Sequence, residues 1–375
     1  MTGMTGRIVL YGPTGYTGGL TARAMILNGA RPVLAGRSQA RLDALAAALS
    51  PASGATPLET AVAGTDRPDQ LRALIGPGDV LVSTAGPFLR AGRAAVAAAT
   101  DAGAVYLDST GEPPFIRQVF EEFGPRARRS GAVLLTAFGY DYVPGNLAAA
   151  LALADAGPDA VRVQVGYFAH GNIRGATSAG TRASVAGVLL EPAYGFRGGA
   201  IVAERSAAHR AWFEIGGRRR AALSTGSSEH FALPRLRPGL TDVGVYLGWL
   251  GAATALVHYA SPLTAALERV PGVRQGLDAA ARRIQRRRTQ PAPGSAIRSD
   301  VVAVAADAAG RDLASVHLAG GDPYSFTASI LAWAAGRAAA QGIPVTGAIG
   351  PTEPFGLAGL ESACTDAGFR RRPWR

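Results

Sequence analysis

The chain has 375 residues, 48% of them hydrophobic, enough for a sizeable core and far from the composition of a disordered protein. Its 38 basic residues outnumber 27 acidic ones to give a formal net charge of +11, which points to anionic partners. A single cysteine, Cys364, excludes an intramolecular disulfide, and every basic residue is arginine. Without lysine, Schiff-base chemistry, a Walker-type ATPase and the Tyr-x-x-x-Lys pair of short-chain dehydrogenases are all excluded.

Residues 1–6 read as a short polar lead-in rather than a secretory signal, and the cysteine usage predicts a reducing, cytoplasmic setting. An apolar strand over 7–11 then runs into Gly12-Pro-Thr-Gly15-Tyr-Thr-Gly18, a helical stretch over 19–27 and a second strand over 32–35. Strand, glycine turn, helix and strand in this order make the first unit of a dinucleotide-binding sheet. Gly12 permits the tight turn, Gly15 lets backbone N–H groups approach a pyrophosphate, and Gly18 lets the helix pack closely. Thr14, Tyr16 and Thr17 complete the turn. An NAD site places an acidic residue at the end of the second strand to take the ribose hydroxyl. Here Arg37 and Ser38 occupy that place, which predicts NADP(H).

The alternation continues with helices over 37–49, 66–75, 91–102 and 115–129 and strands over 55–62, 79–83, 104–108 and 132–137. Ligands of parallel sheets bind beyond the carboxyl ends of the strands, so Ala85, Gly86 and Pro87, and then Asp108 and Thr110, are expected to reach the nicotinamide half of the cofactor or to cap turns. Beyond 147 the pattern changes to a mixed α/β lobe: a strand over 161–168, a glycine-rich loop over 171–181, a helix over 182–190, a hairpin about Gly216-Gly217, and strands over 297–306 and 312–318. Residues 243–267 contain no Asp, Glu or Arg and predict an internal or interfacial helix. The alternative is a peripheral membrane contact, with Arg282-Arg283 and Arg286-Arg287-Arg288 as a basic face nearby. Helices over 324–341 and 355–367 close the chain and are expected to return to the first domain. The boundaries fall at 1–146, 147–319 and 320–375: an α/β fold with a Rossmann-type doubly wound parallel sheet and an inserted second α+β domain.

Hydride transfer needs a proton source besides the cofactor. Tyr140 and Asp141 follow a strand of the first domain, at the expected mouth of its site, where the tyrosine could donate a proton or hydrogen-bond a carbonyl and the aspartate orient it. The alternative is that Asp141 caps the next helix and the tyrosine packs. His170 ends a strand of the second lobe and is a third candidate. The five histidines show no metal-ligand spacing, so no metal is expected, and no motif or basic–aromatic interleaving points to nucleic acid.

Taken together, Gly12–Gly18, Ala35-Gly-Arg-Ser38, Val82-Ser-Thr-Ala-Gly-Pro-Phe88, Tyr106-Leu-Asp-Ser-Thr-Gly-Glu112, Phe138-Gly-Tyr-Asp-Tyr-Val-Pro144, Gly321-Asp-Pro-Tyr324 and Thr352-Glu-Pro-Phe-Gly356 resemble the saccharopine dehydrogenase-like family. The trans-acting enoyl reductases are the nearest branch. The resemblance implies an NADP-binding domain completed by the C-terminal segment, a substrate and dimerisation lobe, and hydride transfer to a polarised C=C or a C=N bond. It also implies a small-molecule or carrier-bound substrate. An imine reductase of amino-acid or natural-product metabolism, and a non-catalytic NADP-binding protein at a membrane, are the alternatives. The lysine on which the lysine-forming enzymes rely is missing here.

Overall fold

The computed structural model describes residues 6–53, 57–171, 192–249 and 297–373. In chain order they form β1 (Ile8–Tyr11), α1 (Tyr16–Leu27), β2 (Val33–Gly36), α2 (Gln39–Ser53), β3 (Thr60–Val62), α3 (Pro68–Ala73), β4 (Val80–Ser83), α4 (Phe88–Ala102), β5 (Val105–Asp108) and α5 (Pro113–Gln118). A π-helical turn, Val119–Phe123, leads to α6 (Gly124–Ser130), β6 (Val133–Leu135) and α7 (Val143–Ala156). Next come β7 (Arg162–His170), β8 (Pro192–Arg197), β9 (Ala200–Arg205), β10 (Arg210–Ile215), β11 (Arg218–Ser224), α8 (Glu229–Leu236), β12 (Asp242–Leu247), β13 (Arg298–Ala306) and β14 (Asp312–Gly320). The chain ends with α9 (Pro323–Gln341), β15 (Gly347–Ala348), α10 (Thr352–Phe355), α11 (Leu357–Asp366) and β16 (Arg370–Arg372). Two compact units result: Met1–Thr110 with Phe115–Val143 and Tyr324–Ala367, and Gly111–Pro114 with Pro144–Pro323 and Gly368–Arg375.

The first unit is built on a seven-stranded sheet in the order β15-β6-β5-β4-β1-β2-β3. Every pairing in it is parallel. All four residues of β1, β4 and β5 are buried, the signature of strands covered on both faces. The winding reverses between β1 and β4, which makes a doubly wound Rossmann sheet whose ligand crevice lies at the carboxyl ends of those two strands. Val9, Leu81 and Tyr106 share a core with Ala95, Val96 and Ala99 of α4 and with Phe115, Val119 and Phe123. Gly92 makes room for this packing, since a Cβ there would stand 2.5 Å from Cζ of Phe115. Tyr324–Ala367 belongs to the same unit, whereas Gly368–Arg375, with β16, belongs to the second. β15 extends the sheet beside β6, and Phe355 packs on Phe138 and Trp333 at 5.8 and 4.6 Å between ring centres.

The second unit is a mixed nine-stranded sheet. β7 and β12 run parallel; β7–β13, β13–β14, β14–β16, β10–β11 and β11–β12 are antiparallel. A β8–β9 hairpin joins it through β12, turning at Gly198 and Gly199 with φ of 58° and 80°. The helix expected over 243–267 is corrected at its start, because Asp242–Leu247 is strand β12 paired with β7. Its central residues are buried on both faces, and a short apolar run of that kind has no period to separate strand from helix. Residues 250–296, with the arginine cluster, lie outside the described residues, as do 172–191 with the expected helix over 182–190. Among the described residues no helix is long and apolar enough to cross a membrane.

Candidate dinucleotide site and proton donors

The glycine turn assigns each glycine a different task. Gly12 has φ +83°, and a Cβ there would meet the backbone N of Ala85 at 3.0 Å. Gly18 is buried, and its Cβ would stand 2.3 Å from the carbonyl of Gly12 and 2.7 Å from Oγ1 of Thr84. Both are fixed by the fold. Gly15 is different: it is exposed, has φ −80°, and its Cβ would meet only the Gly12 carbonyl at an ordinary 3.5 Å. Nothing within the protein requires glycine there, so the open space is available to a ligand.

Gly15 is also the N-cap of α1, whose first intrahelical bond runs from Gly19 N–H to Gly15 C=O at 2.9 Å. Helix geometry leaves the preceding N–H groups without intrahelical acceptors, and with the helix dipole they favour an anion. Thr84 locks the turn to β4, its hydroxyl donating to the carbonyls of Tyr11 and Gly12, both at 3.1 Å. Tyr16, in the first turn of α1, packs edge-on against Tyr324 of α9 at 5.1 Å.

Arg37 and Ser38 follow β2, with Arg37 exposed. Burial raises the phenol of Tyr11, at the end of β1, an effect the positive charge of Arg37 partly offsets. A second cation, Arg41, had not been expected: from α2 its Nη2 donates to the Thr14 carbonyl at 3.0 Å. Arg37 and Arg41 are one helical turn apart, a spacing that could have flagged the pair. Gly86 and Pro87 are exposed at the end of β4, and Pro87 caps α4. These groups fit a phosphorylated dinucleotide: an open glycine at a helix N-terminus, Arg41 bonded to the same turn and Arg37 at the end of the next strand.

Asp108 is placed otherwise than a cofactor ligand requires. It is fully buried; Oδ1 accepts the N–H groups of Thr110 and Ala137, both at 2.9 Å, and Oδ2 accepts the Thr136 hydroxyl at 2.8 Å. Burial raises its carboxyl to about 6 despite those donors. Its work is to hold the β5 and β6 ends together, including Ala137, whose φ of 57° is a conformation side chains rarely adopt. Thr110 is likewise buried.

Beyond β6, the Tyr140 N–H donates to Oγ1 of Thr327 at 3.0 Å, and the Tyr140 side chain is only 4% exposed. Asp141 keeps a partly exposed face, yet its Oδ1 is buried and accepts no hydrogen bond among the described residues. Burial raises this carboxyl to about 7. His170 belongs to the second unit, where its Nε2 lies 2.7 Å from Oδ2 of Asp300; Oδ1 of the same carboxylate lies 2.6 Å from Nε2 of His317. The two imidazoles hold Asp300 below the usual carboxylate range against the opposing effect of burial. Cys364 is buried and its thiol is pushed well up, so it is no nucleophile. Among the described residues no cluster of His, Cys, Asp or Glu could hold a metal ion.

A doubly wound sheet with this turn and these cations at its switch point defines an NADP-binding Rossmann protein. Residues 8–135 match the saccharopine dehydrogenase NADP binding domain. Over 142 residues, 37% of this chain, the sequence is 42% identical to a candidate trans-acting enoyl reductase of Mycobacterium tuberculosis and 41% identical to the trans-acting enoyl reductase of Mycobacterium leprae. The matches span 33% and 34% of those proteins, about a third of their length. The apo saccharopine dehydrogenase (L-Glu forming) of Saccharomyces cerevisiae has a similar fold, with a TM-score of 0.60 over 99% of this chain and 100% of that one at 12% identity.

Proposed function

We propose that the protein is an NADPH-dependent reductase acting on the polarised C=C bond of an enoyl substrate, either free or carried on an acidic carrier protein. The observation that carries this reading is the ligand-directed Gly15, flanked by Arg37 and Arg41, in a chain whose relatives bear the name trans-acting enoyl reductase. When bound, NADPH supplies the hydride. The chain's own residues bind, orient and supply the proton. The N–H groups of Tyr16 to Gly18 would hold the pyrophosphate, with Thr14 and Thr17 beside it. Arg37, Ser38 and Arg41 would hold the 2′-phosphate, since planar guanidiniums suit a bidentate contact. Ala85, Gly86 and Pro87 would serve the nicotinamide half.

Reduction saturates the double bond: hydride reaches the carbon β to the carbonyl, and a proton reaches the α carbon. Asp141 is assigned as the proton donor, because a carboxyl at about 7 is both protonated and acidic enough to donate near neutral pH. Tyr140 supports its placement. His170, oriented by Asp300, is the donor to be tested against it.

Steady-state oxidation of NADPH with an enoyl thioester and with a cyclic imine tests the reading. Turnover of the thioester is expected, and Asp141→Asn should lower kcat by about a hundredfold with NADPH affinity unchanged. Arg37→Ala should weaken NADPH by at least about tenfold and NADH little. Reduction of the imine alone would make this an imine reductase. NADPH binding without turnover of either would make it a non-catalytic cofactor-binding protein. A larger loss in His170→Ala than in Asp141→Asn would move the proton donor to the second unit.

A further inference from the structure

The β10–β11 hairpin carries an arrangement that hydride transfer does not use. Along β10, Ala211, Phe213 and Ile215 are buried while Arg210, Trp212 and Glu214 are exposed. The register sets Trp212 opposite Ala221 and Glu214 opposite Arg219. Trp212 is 45% exposed, and the guanidinium carbons of Arg210 and Arg219 lie 5.3 and 5.0 Å from its ring centre. Both cation–π contacts restrict the indole. That face therefore holds two exposed arginines, Arg210 and Arg219, against one glutamate.

Edge protection accounts for charges here, since β10 ends the strand order and charged side chains discourage unwanted pairing. It does not account for a large apolar ring held outward among those charges. Trp and Arg are the residue types that dominate the energetics of protein interfaces. A second copy of the chain would bring these arginines against their own kind. A lipid surface is best met by apolar side chains at a protruding tip, but the tip here is Gly216-Gly217 and Trp212 lies mid-strand on a flat face. An acidic protein surface answers both features.

We propose that the exposed face of the β10–β11 hairpin is a docking surface for an acidic protein segment, whose carboxylates pair with Arg210 and Arg219 and whose apolar side chains cover Trp212. The inference is independent of which bond the protein reduces. The test uses the full chain and a fluorescent amphipathic helical peptide with glutamates and leucines on adjoining faces, followed by anisotropy. Its glutamine counterpart is the charge control, and circular dichroism confirms that variants are folded. Trp212→Ala is expected to weaken the glutamate peptide by at least about tenfold and Arg219→Glu by more. Arg23→Glu, at an exposed arginine of α1, should change it less than about threefold. The proposal is overturned by absence of glutamate-peptide binding or by equal losses in Trp212→Ala and Arg23→Glu, which would mean bulk charge alone. It is equally overturned if Trp212→Ala abolishes binding to phosphatidylglycerol vesicles or self-association while leaving peptide binding intact.

Discussion

Replacing Asp141 by asparagine should reverse the usual expectation that removing a native carboxylate destabilises a protein. The folded-state value of Asp141 is raised from 3.8 to about 7 by burial, with no hydrogen bond at Oδ1 among the described residues. Below about pH 4 the group is protonated in the folded and unfolded chains alike. Between about 4 and 7 the folded chain keeps the proton while the unfolded chain releases it, so stability falls as pH rises through that window. Each tenfold in proton affinity is worth about 1.4 kcal/mol, so the rise corresponds to about 4 kcal/mol. Partial solvent access at the residue brings the expected value nearer 2 kcal/mol. Asparagine has similar size and does not titrate, so its stability relative to wild type should grow by about 2–4 kcal/mol from pH 4 to pH 8.

Guanidinium denaturation of both proteins across that range, followed by tryptophan fluorescence, reads the difference; Trp333, packed on Phe355, reports from the first unit. Asp108, raised to about 6, contributes a slope of the same sign in both proteins and cancels. A difference that does not vary with pH, or an asparagine variant less stable than wild type at pH 8, would refute the assignment of Asp141 as a buried carboxyl of high affinity for its proton.

The glycines of the turn should separate binding from folding. Gly18→Ala should cost about 1–3 kcal/mol in thermal or denaturant unfolding, because its Cβ meets backbone at 2.3 Å. Gly15→Ala should change stability by less than about 0.5 kcal/mol while weakening NADPH by at least about tenfold in a fluorescence titration. Asp108→Ala strands three donors and should destabilise the first unit by about 3 kcal/mol, seen as loss of hydrogen-exchange protection at Ala137. Asp300→Asn should remove a stabilisation that is present above the ordinary carboxylate range and lost as pH falls, so the variant and wild type should converge in acid unfolding curves.

The cofactor turn was legible because its constraints are local. A tight turn, a close helix approach and a cation after the second strand each involve residues within one strand–helix–strand unit. Arg41 was missed although it sits four residues from Arg37, because a charge on an amphipathic helix reads as solvated until its reach to Thr14 is seen. The partners of His170 could not be read at all. Asp300 and His317 lie more than a hundred residues away, and only the β7–β13–β14 register brings their side chains to it. Residues 243–247 failed for a different reason: a strand buried on both faces erases the alternation that identifies strands at sheet surfaces.

Asp108 and Asp141 show what sequence could not distinguish and what the chemistry turns on. Both follow or end apolar strands of the same sheet; Asp108 could have been a cofactor ligand or a turn cap, and Asp141 part of the proton-donating machinery or a helix cap. Three donors converge on Asp108, so its oxygens are committed and its ionised form is partly compensated. At Asp141 no donor among the described residues compensates the buried Oδ1, and the proton itself is what makes burial tolerable. A carboxyl held by backbone donors is a poor acid near neutrality, because its anion is already satisfied. One held by burial alone keeps its proton to about pH 7 and can release it to a reacting carbon. Of the two buried carboxyls, Asp141 is therefore the group through which a change of pH should reach turnover, with activity falling above about 7. Asp108 should reach it only by letting the strand ends come apart.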